Sequence, residues 1–204
     1  MVQVYVPAGE FVMGSRDDDP DARDDEKPQH TVYLDGYWID KTPVTNAMFA
    51  KFVAETGYLT EAEKRGEAYV YGQGSVKGAQ WRHPQGASSN ILGKDNHPVV
   101  CVSWNDANAK WAGRCLPTEA EWEKAAGGTD GRKWPWGNNP PTDKLCNFNG
   151  NVGDTTPVGN YPAGASPYRA LDMAGHVWEW CNDNYVGNYY AFSPKANPQG
   201  ATYV

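Results

Sequence analysis

The hydrophobic pattern changes character several times along the chain. Val2–Val6 alternates apolar and polar positions, as a half-buried strand does. Pro7-Ala8-Gly9 reads as a turn, and Phe11–Gly14 as a second short strand. His30–Leu34 alternates again, and Gly36–Asp40 extends it. A helical stripe begins after Thr45, a predicted N-cap, with Met48, Phe49, Phe52 and Val53 on one face and Gly57 as the stop. Residues 58–96 show no clear period and predict a long irregular connection, which in a small domain is usually functional or mobile. Pro98–Val102 reads as a buried strand, and Ser103 opens a short helix running through Trp111 to Gly113. Thr118-Glu119-Ala120-Glu121 has the form of a capping box, with Gly127-Gly128 ending the helix. Turns and short strands are expected beyond it. No internal repeat and no linker interrupts residues 1–204, so a single domain is expected.

Composition narrows the class. The chain has 204 residues, with 22 glycines, 15 prolines, 9 tryptophans and 12 tyrosines. Low-complexity disorder would account for glycine and proline but not for 13% aromatic residues. The combination predicts an α+β domain with few, short regular elements, many tight turns and an aromatic core. Trp104, Trp122, Trp178 and Trp180 are expected in that core.

The net charge of −7 argues against a nucleic-acid partner, which would need a basic face. Arg16–Glu26 alone holds seven acids and two arginines and reads as a solvated surface loop. Its acids do not follow the EF-hand ligand pattern. Apolar runs are too short to span a membrane, and no signal peptide is visible, which makes a cytoplasmic location the default expectation. The four cysteines, Cys101, Cys115, Cys146 and Cys181, form no CxxC knuckle, and the four histidines no HExxH, so zinc is unsupported. Disulfides and free thiols both remain open.

A set of longer blocks then resembles one known family. Val6–Gly14, Glu26–His30, Pro43–Asn46, Trp81–Gly86, His97–Val100, Val102–Ala107, Leu116–Glu123, Trp134–Gly137 and Gly175–Trp180 occur in the order found in the formylglycine-generating enzyme, or sulfatase-modifying factor, family. The resemblance implies an irregular α+β fold related to the C-type lectin scaffold. It implies oxidation of a sulfatase cysteine to Cα-formylglycine by molecular oxygen, with copper(I) held by two cysteines. Soft thiolates suit that ion. A sulfatase-like protein or peptide is the implied partner.

The resemblance also shows departures. The family's cysteine pair lies in a C-terminal block that this sequence does not contain, so the copper ligands are absent and no catalytic residue is assigned. The ending Gly200–Val204 falls in mid-pattern, and the domain is expected to be C-terminally incomplete, with an open sheet edge and a marginal core. Residues 107–113 look two positions short of the family helix, and Cys115 replaces a basic residue.

Calcium is the remaining implied cofactor. The resemblance points to Asn147, the Phe148 carbonyl and Asp154 in one segment, and to Asp172, the Gly175 and Val177 carbonyls and Glu179 in another. Carboxylates mixed with carbonyls are the donors calcium prefers. His176 replaces an asparagine and is expected to hydrogen-bond a turn. Trp81, His83 and Pro84 match a block near the substrate groove. The alternative function is a non-catalytic binding module on the same scaffold, like the variable proteins of retroelements, taking a protein ligand.

Overall fold

β1 (Gln3–Val6) pairs antiparallel with β4 (Tyr37–Asp40), and β2 (Gly9–Met13) with β3 (His30–Leu34). These two ribbons place Val6, Phe11, Met13, Val32 and Leu34 inward and leave Tyr5, Val12, Tyr33 and Trp38 exposed. The computed structural model describes residues 1–109 and 113–201. Helix α1 (Asn46–Thr56) starts at the Thr45 cap, whose Oγ1 accepts Met48 N–H at 3.3 Å, and stops at Gly57 with φ +67°. Helix α4 (Glu119–Gly127) starts with both halves of the Thr118/Glu121 box formed.

Helix α4 packs against β2 and β3, and its Ala125 and Ala126 fill in under Val6 and Met173. Lys124, on the same buried stretch, is almost wholly enclosed. Its ammonium donates to the Pro7 carbonyl at 2.9 Å and the Gly9 carbonyl at 2.7 Å, which ties the β1–β2 turn to the helix. The C-terminal region returns to the N-terminal ribbons. Tyr33 N–H donates to Lys195 O and Asn197 N–H to Tyr33 O, both at 2.8 Å, so residues 195–197 lie along the outer edge of β3.

The structure differs from the sequence reading in four places. Residues 58–96 hold α2 (Glu61–Arg65) and the hairpin β5 (Glu67–Val70)–β6 (Gly74–Lys77). Pro98–Val102 is not a strand. It makes a single bridge from Pro98 to Thr45, and Cys101 at φ +57° breaks the extended path. Its role is to buttress the start of α1, with Val99 N–H donating to Val44 O. The helix after Ser103 is one turn, α3 (Trp104–Ala107), capped at Asn108, and Trp111 lies outside the described residues. No strand follows α4 among the described residues.

The expected tryptophan core is corrected as well. Trp178 is 88% exposed and Trp180 50% exposed. Glu179 turns inward to accept the Trp122 indole N–H, while Trp178 and Trp180 on either side of it are exposed. The acidic Arg16–Glu26 loop is at the surface, with Lys133 reaching Asp19 and Asp21 at 3.1 Å each. Exposed pairs of this kind add little stability.

Candidate functional site

Residues 171–181 have no regular structure, yet hydrogen bonds fix their path. Leu171 N–H donates to Lys41 O, His176 N–H to Asn147 O at 2.7 Å, and Trp180 Nε1–H to Val102 O at 3.0 Å. Gly175 has φ +72°, and a Cβ there would lie 2.4 Å from the Asn147 carbonyl oxygen. Only glycine allows the two segments to approach this closely.

Between this segment, β4, α1 and the start of α4 runs a groove of about 680 Å³. Asp40, Arg114, Cys115, Trp122, Trp178 and Glu179 are among its lining residues. Arg114 is ion-paired with Asp40. The Glu179 carboxylate accepts Trp122 Nε1–H at 3.1 Å, and burial pushes its pKa up to about 7. Trp178 and Trp180 also line a second hollow of about 530 Å³ on their other side, with Trp104 and Tyr69.

The second segment expected to hold a cation is arranged as follows. Asp172 and His176 side chains are each 1% exposed. Asp172 Oδ2 accepts Gly159 N–H at 2.6 Å, while Oδ1 has no hydrogen-bond partner and lies 3.9 Å from His176 Nδ1. Thr156 N–H donates to His176 Nε2 at 3.1 Å, so the neutral ring carries its proton on Nδ1. Burial lowers the His176 pKa and keeps the ring neutral. His176 therefore presents a donor at Nδ1 and no free lone pair for a metal. The Gly175 and Val177 carbonyls accept no hydrogen bond from the described residues. An orphaned buried carboxylate oxygen is the type of donor a hard cation takes.

The first segment is different. Asn147 Nδ2–H donates to the Asp154 carbonyl at 2.8 Å, and the Phe148 carbonyl accepts Asn151 N–H at 3.0 Å. One Asp154 carboxylate oxygen meets Lys94 Nζ at 2.6 Å, and the other accepts Thr155 N–H at 2.7 Å. Among the described residues, no group of three or more His, Cys, Asp or Glu side chains converges as a metal site.

Trp81, His83 and Pro84 do not line this groove. Trp81 is buried at 2% exposure against Phe49 and Phe52, with the Arg82 guanidinium 3.9 Å over its ring. Pro84 is buried too, and His83 donates through Nδ1 to Ser89 O within its own loop. The block shapes a tight loop and fills the core beside α1. The groove residues Arg114, Cys115 and Trp122 were missed because they come together only through the packing of α4 on the 171–181 turn.

All four cysteines are free. Burial raises the pKa of Cys101 and Cys146, and pushes Cys181 up to about 12. Three are thus held as protonated thiols, and Cys115 stands exposed with no cysteine partner.

Comparison with known proteins decides the family. Residues 2–204 match the sulfatase-modifying factor enzyme 1-like domain. The chain belongs to the sulfatase-modifying factor family. Within it, the chain is 43% identical to the formylglycine-generating enzyme of Streptomyces coelicolor over 97% of this chain and 74% of the relative. It is 42% identical to that of Mus musculus over 98% of this chain and 62% of the relative. It is also 39% identical to the mouse inactive C-alpha-formylglycine-generating enzyme 2, over 89% of this chain and 68% of that protein. The chain thus spans about three fifths to three quarters of the length of these family members. In structure it resembles PvdO from Pseudomonas aeruginosa, with a TM-score of 0.73 at 24% identity, covering 98% of this chain and 75% of PvdO. The α+β assignment stands with the family's fold.

Proposed function

We propose that residues 1–204 form one domain that recognises a sulfatase-type polypeptide and does not itself oxidise it. The observation that carries this is the thiol inventory. Cys101, Cys146 and Cys181 are each shifted toward the neutral thiol by burial, and Cys115 is a free, exposed thiol. Copper(I) chemistry on a cysteine substrate needs a thiolate pair that these residues do not provide. The groove supplies what recognition needs instead. Trp178 offers a rigid apolar face and the Arg114–Asp40 pair a polar rim. Aromatic anchors with polar rims are what polypeptide contacts use.

Calcium belongs to this reading as a structural ion at the second segment. Asp172, the Gly175 and Val177 carbonyls and Glu179 would hold it, supported by the orphaned Asp172 Oδ1. Bound there, calcium would neutralise buried carboxylates and stiffen the turn that presents Trp178.

Incubating the chain with a Cys-x-Pro-x-Arg peptide, copper and oxygen, then weighing the peptide by mass spectrometry, tests the reading. The expected result is an unchanged peptide that nevertheless binds, seen as altered tryptophan fluorescence. Conversion of the peptide thiol to an aldehyde would overturn it.

A further inference from the structure

The first segment does not fit calcium, and the reason is a lysine. Calcium takes six to eight oxygens at about 2.3–2.6 Å. Of the three expected ligands, the Phe148 carbonyl is used within its own turn and the Asp154 carboxylate is engaged at both oxygens. Lys94 Nζ sits 2.6 Å from Asp154 Oδ2. A divalent ion bound to that oxygen would stand against the ammonium at close range, and the two positive charges exclude one another.

Lys94 is not a loose surface side chain that found a partner. Its backbone N–H donates to Ile91 O at 2.9 Å, and its carbonyl accepts both His97 N–H at 3.0 Å and Asn46 Nδ2–H at 2.9 Å. The same loop makes two further links to the segment that carries Asp154. His97 Nδ1 pairs with Thr155 Oγ1 at 2.8 Å, and Val158 N–H donates to Asn96 O at 2.8 Å. The loop is also the cap of α1, since Asn46 N–H donates to His97 O and Ala47 N–H to Asp95 O. The Lys94 backbone is therefore held in place, and its ammonium reaches a half-exposed carboxylate that also accepts Thr155 N–H.

We propose that Lys94 supplies the positive charge at the Asn147–Asp154 segment, so that this segment is closed by an internal ion pair and takes no calcium. The consequence is that the link from the start of α1 to the turns before His176 holds in the absence of metal. The proposal does not depend on calcium at the second segment.

Calcium titration by calorimetry of the full chain, Asp154→Asn and Glu179→Gln tests it. Asp154→Asn is expected to bind the same number of calcium ions as the unaltered chain, whether that number is one or zero. A number that falls by one in Asp154→Asn would overturn the proposal, while a fall only in Glu179→Gln concerns the second segment alone. Melting in excess chelator gives an independent reading. Lys94→Met and Asp154→Asn should each lower Tm by about 2–4 °C, and the double variant should lower it no further. Fully additive losses would show that the two side chains are not coupled and would overturn the proposal.

Discussion

Asp106 accepts the backbone N–H of Glu61 through Oδ1 at 3.0 Å, so one carboxylate caps a helix 45 positions earlier in the chain. The same oxygen accepts the Tyr58 hydroxyl at 3.0 Å, and Oδ2 accepts Ser103 N–H at 2.8 Å to close the capping box of its own helix. The side chain is buried, and it joins α2, α3 and Tyr58, two residues beyond the end of α1.

Asp106→Ala is therefore predicted to be among the most damaging single changes. It strands two backbone donors and a tyrosine hydroxyl in a part-buried site, at a cost of roughly 2–4 kcal/mol. Urea denaturation should show a lower midpoint. A loss below about 1 kcal/mol would show that water replaces the carboxylate.

Stability should fall as pH rises from mildly acidic to neutral. Burial raises the Glu123 pKa from the ordinary glutamate range to about 7, partly offset by the Gly14 N–H donated to it at 2.8 Å. A carboxyl whose pKa is higher folded than unfolded binds its proton more tightly in the folded state. Its contribution is complete below about pH 4.5 and is lost as pH climbs to about 7, amounting to an order of 3 kcal/mol. Glu179 acts in the same direction. Tm measured from pH 5 to 8 should drop, and Glu123→Gln should flatten the slope without abolishing it.

Trp178→Ala separates recognition from folding. The ring is 88% exposed, so its loss should change stability by no more than about 0.5 kcal/mol. Binding of the Cys-x-Pro-x-Arg peptide should weaken by about tenfold or more, as for other aromatic anchors. Equal affinity in the variant would remove Trp178 from the contact surface.

Gly175→Ala should do the reverse and injure the scaffold first. The new methyl would meet the Asn147 carbonyl at 2.4 Å on a backbone at φ +72°. A cost of roughly 2–4 kcal/mol is expected, visible as a lower Tm with calcium or with chelator. An unchanged Tm would mean that the two segments do not need their close approach.

The elements legible in the sequence were those whose signal is local and strong. The β1–β4 ribbons alternate cleanly, and α1 and α4 carry both a cap and a stop. Helix α2 carries the same tetrapeptide as α4, Thr60-Glu61-Ala62-Glu63, and closes the same box. It was passed over because it buries only Ala62, which leaves no apolar stripe to read. β5 hid for a related reason. Its buried positions are Ala68 and Val70, and the exposed Tyr69 between them is itself aromatic, so alternation in burial is not alternation in hydrophobicity.

The site was less legible because its key contacts are long-range. Lys94 and Asp154 are 60 positions apart, and nothing in either neighbourhood announces the other. Lys124 looks like a solvated helix lysine until the β1–β2 turn closes over it. The paired tryptophans around Glu179 misled in the opposite sense. Large indoles suggest a core, but an inward carboxylate between them fixes which side faces solvent.

The strand-like contact of residues 195–197 with Tyr33 has a consequence for the order in which the chain can fold. β3 is made early in synthesis, and its outer edge must wait for more than 160 further residues before Lys195 and Asn197 arrive to cover it. Tyr185 reaches Asp25 across a similar span. Contacts of such sequence separation slow the search for the native state. The N-terminal ribbons therefore keep an unpaired backbone edge until residues 195–197 are made, and a ribosome that stalls before Lys195 releases a chain whose N-terminal ribbons are ready to pair with the wrong neighbour.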